Sequence, residues 1–282
     1  MERLSTRIEQ HLNSPITDQQ PVGGGSINDA WRLELADGRT LFLKTHSRPP
    51  RDFFAAESEG LKALAATRTI RIPEVIAQDE DFLLLEWMDG REATDYWQTF
   101  GEQLARLHSH HAEHFGFERD NFCGLTPQPN PWMRDGFAFF AEARLLHQGQ
   151  MARDAGKLEK GDIRRLEQLA ARLDRWIPEQ PASLIHGDLW GGNAHCGPSG
   201  EPVLIDPAAH YGWAEAELAM TALFGRFPQA FYDAYLAHSD VPADWESRAP
   251  LYNLYHELNH LNLFGGAYAQ GVRRTLKRYA GD

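Results

Sequence analysis

At 282 residues, with 42% hydrophobic residues and a formal net charge of −12, the chain can bury a sizeable core in one large or two ordinary domains, and its acidic balance disfavours a nucleic-acid surface. Two cysteines, Cys123 and Cys196, exclude a disulfide scaffold; they are expected to be structural, reduced thiols of a cytoplasmic protein. No apolar run is long enough to span a bilayer, and the start Met1-Glu2-Arg3-Leu4 lacks the basic-then-apolar pattern of a secretory leader, so no membrane partner is expected.

In chain order, an N-terminal helix is expected to lead into Val22-Gly23-Gly24-Gly25-Ser26-Ile27-Asn28. Three glycines let a backbone approach a phosphate chain closely and aim N–H groups at it, so Gly23, Gly24, Gly25 and Ser26 are candidate nucleotide contacts. A glycine run alone is more often a turn or linker. Residues 30–35 alternate like a half-buried strand, and Asp37-Gly38 turns the chain into Thr40-Leu41-Phe42-Leu43-Lys44. Period two places Leu41 and Leu43 on one face and Phe42 and Lys44 on the other, where Lys44 would reach the nucleotide phosphates.

Residues 52–64 follow helical spacing. Glu57 stands four after Phe53, four before Leu61 and seven before Leu64, in the middle of the apolar stripe. A carboxylate there is costly unless paired, and Lys44 is the obvious partner. The bland alternative is a solvated rim of the helix. Strands near 75–77 and 82–87 follow, and Glu86-Trp87-Met88-Asp89-Gly90 is expected to be a hinge where backbone groups at Glu86 and Met88 meet adenine. Beyond it the pattern turns mainly helical, over 96–108, 132–147, 157–176, 214–224 and 251–264.

The segment Leu184-Ile185-His186-Gly187-Asp188-Leu189-Trp190-Gly191-Gly192-Asn193, followed by Leu204-Ile205-Asp206, sets out a phosphoryl-transfer site in order. Asp188, in a tight loop after an apolar strand, can accept the proton of an attacking hydroxyl. Asn193, five positions on, can reach back to a metal ion, and Asp206, thirteen further, supplies the carboxylate that holds Mg²⁺ on ATP phosphates. Each residue singly reads equally well as a turn or strand-end cap; the three in register carry the argument. Strands before the hinge and helices after it then predict an α+β, bilobal protein kinase-like fold, with a small β-rich N-lobe over residues 1–87 and a larger, mainly helical C-lobe over 88–282.

The motifs together resemble the fructosamine/ketosamine kinase family, a branch of the aminoglycoside and choline kinase-like superfamily. The likeness runs through Gly23 to Asn28, Lys44, Glu57, Gly116-Phe117, Asp120-Asn121, Gln128-Pro129-Asn130, Trp132, Phe139-Phe140, Arg144-Leu145, and Ile205-Asp206-Pro207-Ala208. Its family-specific parts are His186-Gly187-Asp188-Leu189-Trp190-Gly191-Gly192-Asn193 and Asn259-His260-Leu261-Asn262. Trp213 and Ala214 depart from it, standing where the family usually has a polar residue followed by arginine, and Ser26 replaces the cysteine of some relatives. Gly187 replaces the arginine of the protein-kinase H-R-D, so no arginine is left to read an activation-loop phosphate and the site is expected to be permanently assembled.

The resemblance implies ATP- and Mg²⁺-dependent phosphorylation of the 3-hydroxyl of ketosamines, free or protein-bound, whose 3-phosphates decompose and release the amine in deglycation repair. Asn259, His260 and Asn262 beside Trp190 and Trp132 are the expected acceptor pocket, since neutral amides and imidazole suit sugar hydroxyls and an indole can cover an apolar sugar face. The amides read equally as helix cross-links. Alternatives are a related kinase acting on an aminoglycoside, an amino alcohol or another metabolite, a nucleotide-binding regulatory module, and a zinc peptidase. The last is suggested by His256-Glu257-Leu258-Asn259-His260, which matches H-E-x-x-H, yet residues 261–282 hold no His or Glu for a third ligand. His110-His111-Ala112-Glu113-His114 matches H-x-x-E-H but is expected to be a solvated helix end.

Overall fold

A computed structural model describes residues 2–23 and 28–280. Helix α1 (Glu2–Leu12) precedes an antiparallel sheet of β1 (Ile16–Val22), β2 (Asp29–Leu35), β3 (Thr40–Thr45), β4 (Val75–Gln78) and β5 (Phe82–Glu86), in the order β1-β2-β3-β5-β4. Helix α2 (Phe53–Ala66) is inserted between β3 and β4. Period-two alternation gives the sheet two working faces. Leu33, Leu35, Leu41, Leu43, Phe82 and Leu84 pack with Ile8 of α1 in a satellite core, while Leu83 and Leu85 turn to α2 and the body of the molecule. Strand β1 was not expected: its middle is polar and exposed, and Pro21 is tolerated because it lies on an edge strand.

The larger lobe begins with α3 (Tyr96–His108) and is helical apart from short strands. These are β6 (His111–Ala112), β7 (Asn121–Cys123), β8 (Thr126–Gln128), β9 (Ala182–Ile185), β10 (Ala194–Cys196), β11 (Pro202–Leu204) and β12 (His210–Gly212). Strand β9 runs between β6 and β12, and β10 pairs with β11. The catalytic-loop sequence therefore links β9 to β10, and Asp206 lies between β11 and β12.

Several expected boundaries move, each for a local reason. The helix placed at 132–147 starts instead at Gly136, because the Asp135 side chain accepts from the N–H groups of Phe137 (2.8 Å) and Ala138 (3.2 Å) and caps it there. It runs as α4 (Gly136–Phe139), a π-helical stretch (Phe140–Leu146) and α5 (His147–Asp154). The 157–176 helix is α6 (Lys160–Ala170), opened by a capping box of Glu159 and Asp162 and followed by a short 3₁₀ turn. Helix α7 (Ala214–Met220) stops short of 224, and α9 (Ala249–Phe264) begins with Pro250 in its first turn. His111 and Ala112, expected at a solvated helix end, pair with β9 instead. Helices α8 (Gln229–Ala237) and α10 (Ala269–Ala280) were not expected. One apolar cluster joins α2 to the larger lobe, running from Phe53, Leu61 and Leu64 to Leu104, Phe231 and Leu254.

Candidate active site

The catalytic loop is built by backbone geometry first. Gly187 has φ +86°, and a Cβ there would sit 2.2 Å from the Ala208 carbonyl oxygen, so the arginine of H-R-D could not be accommodated. The Ala208 N–H donates to the His186 carbonyl (2.9 Å), tying this loop to the turn after Asp206. His186 Nε2 lies 2.8 Å from the Ile205 carbonyl, which places its proton there and leaves Nδ1 to accept from the Asp188 N–H at 3.3 Å. Asn193 donates its amide N–H to the Asp188 carbonyl (2.7 Å), closing the loop and leaving its amide oxygen for another partner.

Lys44 Nζ stands 2.6 Å from Glu57 Oε1 and 2.8 Å from Asp206 Oδ1. The lysine–glutamate pairing expected from helical spacing is therefore present; the second contact, to Asp206, was not anticipated. Asp206 has φ +58°, a left-handed conformation costing on the order of 1–3 kcal/mol outside glycine. Helix α2 reaches this turn because Gly60 packs against it: a Cβ at Gly60 would lie 3.3 Å from that of Ala209. From the other side, Asn121 donates to the Ala209 carbonyl (2.9 Å) and Gln128 to the Ala208 carbonyl (3.1 Å), with Tyr255 donating to Gln128 Oε1 (2.5 Å).

Burial opposes the charge on Lys44, but the Asp206 and Glu57 carboxylates outweigh it and hold the ammonium protonated. Burial, and after it the Asp206 carboxylate, push Asp188 up to about 7, against the Asn193 hydrogen bond. Burial also pushes His186 down, and His256 down to about 3, so both imidazoles are neutral near pH 7.

Lys44, Glu57, Asp188, Asn193 and Asp206 line a cleft of about 440 Å³ between the lobes; His186 and His256 are not part of its lining. It is bounded by Gly23, Lys44, Glu57, Glu86, Met88, Asp188, Trp190, Asn193, Asp206, Asn259 and His260, so most of the residues expected at the site are brought together. Gly24, Gly25 and Ser26 lie outside the described residues. The Glu86 side chain accepts from Arg71 and from the Glu74 N–H (3.2 Å), and the Met88 carbonyl lies 3.1 Å from His195 Nε2.

Two expected acceptor contacts move away. Asn262 donates to the Gln148 carbonyl (2.9 Å) and to Gln148 Oε1 (2.7 Å), cross-linking α9 to α5 instead of facing the cleft. Trp132 is tilted against Tyr211 with ring centroids 6.0 Å apart, outside the cleft lining. Asn259 lines the cleft yet is buried, donating to the Cys123 carbonyl (3.3 Å) and sulfur (3.1 Å). At the cleft mouth His260 packs against Phe224 (4.5 Å), Tyr268 (5.2 Å) and Phe264 (5.4 Å), with Trp190 approaching Phe224 edge-on. Where the family's polar pair is missing, the Trp213 ring fills a buried aromatic pocket with Phe115, Phe140 and Tyr252.

Sequence reasoning placed Glu217 in the family likeness, within Glu215 to Thr221, but gave it no role. Buried in α7, its carboxylate accepts from the His186 N–H (3.0 Å), the Gly187 N–H (2.7 Å) and His108 Nε2 (2.7 Å), and so clamps the loop behind Asp188. Against the burial that favours its neutral form, hydrogen bonds from His108 and the backbone hold it below the usual carboxylate range. The signal was available. An acid preceding Leu218-Ala219-Met220 on a core helix needs a buried partner, the same argument that selected Glu57.

The zinc-peptidase pattern does not assemble. His256 turns inward to Asp188 (3.9 Å), Glu257 approaches Thr275 (3.4 Å), and His260 sits in the aromatic wall. In the other histidine pattern Glu113 pairs with Arg134 at the surface (2.9 Å).

Comparison with known proteins finds relatives along nearly the whole chain. A sequence profile described as fructosamine kinase matches residues 1–281. A probable ketoamine kinase from Synechocystis sp. is 42% identical, covering 98% of this chain and 95% of its own. The chloroplastic protein-ribulosamine 3-kinase of Arabidopsis thaliana is 37% identical over 94% of this chain and 83% of its own. A crystal structure from Thermobifida fusca YX-ER1, provisionally described as a fructosamine-3-kinase, superposes with a TM-score of 0.89 at 35% identity, covering 99% of both chains. An aminoglycoside phosphotransferase solved with streptomycin and ATP shares the fold, with a TM-score of 0.65 at 14% identity over 99% of this chain and 96% of its own. The chain belongs to the fructosamine kinase family.

Proposed function

We propose that this phosphotransferase moves the γ-phosphoryl group of ATP to the 3-hydroxyl of a ketosamine. The observation that carries this reading is Lys44 held between Glu57 and Asp206 at one side of the cleft that Asp188 also lines. Lys44 is fixed by Glu57 and would exchange its Asp206 contact for phosphate oxygens as nucleotide enters. Asp206, half exposed to the cleft, and the free amide oxygen of Asn193 are hard oxygen donors that suit Mg²⁺. When bound, Mg²⁺ supplies neutralisation of phosphate charge.

Asp188 orients the acceptor hydroxyl and takes its proton as the new P–O bond forms. Its elevated pKa suits a base that works near neutrality. His186, Asn193 and Glu217 hold its loop in place, so no ordering step is needed before turnover. Trp190, His260 and Phe264 offer faces for the sugar and its amine substituent, and loss of the amine from the unstable 3-phosphate would complete deglycation.

The test is incubation with ATP and a panel of free and protein-bound ketosamines, with the product located by mass and phosphorus NMR. Expected is a 3-phosphate on a ketosamine. Preferential phosphorylation of an aminoglycoside or simple amino alcohol would replace this reading with that of a related metabolite kinase.

A further inference from the structure

Beside the phosphate-handling residues, three side chains from different elements converge. Cys123 at the end of β7, Asp188 in the catalytic loop and His256 of α9 bring a sulfur, a carboxylate oxygen and an imidazole nitrogen within 4.8 Å of one another. His256 is only 6% exposed, and its Nδ1 has no hydrogen-bond partner although it lies 3.9 Å from Asp188 Oδ1. A buried ring nitrogen left unpaired is rare, because it forfeits the free energy of hydration without replacement. Cys123 is a free thiol, 1% exposed, and its sulfur accepts from Asn259 at 3.1 Å.

Zinc bonds of about 2.0–2.3 Å in a tetrahedron place donor atoms roughly 3.3–3.8 Å apart. The histidine–aspartate edge, at 3.9 Å, lies just beyond that spacing, and modest side-chain closure brings it and the sulfur within range. A thiolate and an imidazole select Zn²⁺ over the hard Mg²⁺, and the fourth position would open to the cleft that Asp188 lines.

We propose that Cys123, Asp188 and His256 form an inhibitory Zn²⁺ site. On binding, the ion replaces the Cys123 thiol proton, which leaves to solvent, and engages the Asp188 carboxylate, so that it can no longer orient an acceptor hydroxyl. This is not the peptidase arrangement, in which His256 would pair with His260. The inhibition, though not the binding, rests on the role given to Asp188 above.

The experiment uses the whole protein and the Cys123→Ser and His256→Asn variants, each normalised to its own zinc-free rate. Zn²⁺ is titrated at saturating Mg²⁺ and ATP, and binding is followed separately through the ultraviolet thiolate-to-Cd²⁺ charge-transfer band. Expected is inhibition whose half-point rises about tenfold or more in each variant, with the band lost in Cys123→Ser. A band that persists in Cys123→Ser, or no band at all, overturns the site. Equal inhibition of all three proteins, relieved by excess Mg²⁺, overturns it as the cause of inhibition and assigns the effect to the nucleotide metal. Binding with no inhibition would leave the site standing and overturn the role of Asp188.

Discussion

Asp188 and Lys44 do different work, and their variants should differ in kind. Asp188→Asn keeps the shape of the side chain and one acceptor oxygen but removes the base, so kcat should fall by about 10²-fold or more while affinity for an ATP analogue holds. Steady-state kinetics on a ketosamine alongside analogue binding separate the two; an unchanged kcat would mean the catalytic loop has been misread. For the Lys44–Glu57 pair, the 2.6 Å contact predicts strong non-additivity in a double-mutant cycle on kcat/KM. Lys44→Ala should be the more damaging, because it removes the ammonium that reaches the phosphates, whereas Glu57→Ala keeps the ammonium and removes only its anchor. Additive losses would show that the two residues do not act as a unit. Both placements were legible in the sequence, since an acid in a helix stripe and an interval of five between Asp and Asn are local patterns. The Lys44–Asp206 contact was not, because it joins residues 162 apart along the chain.

At the scale of elements, α7 acts as the brace behind the catalytic loop. Glu217→Gln keeps one acceptor but removes the charge that satisfies two backbone N–H groups and His108, so it should destabilise the protein by about 3 kcal/mol and lower kcat more than it raises the KM for ATP. The effect depends on pH with a fixed sign. Glu217 is held below its ordinary 4.5, so its contribution is fully present above that value and is lost as pH falls through the lower native value. Melting temperatures of parent and variant should therefore differ most near neutrality and converge in acid. A gap that widens as pH falls would contradict the clamp. Element boundaries were less legible than element types, and the 132–147 helix shows why. Its apolar periodicity was visible, whereas its start is set by the Asp135 cap and its length by a π-helical stretch that buries Arg144 against the Pro129 carbonyl (2.6 Å) and Asn130 Oδ1 (2.7 Å).

Among the described residues, one apolar cluster runs from α2 through the larger lobe, and the α1 face of the sheet forms a separate, smaller core. Thermal unfolding should consequently be a single transition by near-ultraviolet and far-ultraviolet dichroism, with two well-separated steps arguing for independent lobes. Leu64→Ala in the shared cluster and Ile8→Ala in the satellite should each cost about 2–5 kcal/mol, but only Leu64→Ala should also impair turnover, because α2 carries Glu57. Sequence alone determined the order of the candidate catalytic parts and the two faces of β3, and its motifs carried the likeness to a kinase family; the division into strands before 87 and helices after it held only in part, since among the described residues α1 and α2 precede 87 and seven short strands follow it. The first two are written in periods and intervals of a few residues, whereas the family likeness rests on whole motifs such as His186 to Asn193. Tertiary structure alone decided that Asn262 and Trp132 leave the cleft, that Glu217 clamps the loop, and that His256 faces Asp188 and Cys123 instead of His260. The physical reason is common to all: a side chain's partner in a folded core is chosen by which elements pack together, and residues 30 to more than 100 positions apart, on different elements, leave no periodic trace of that packing in the chain.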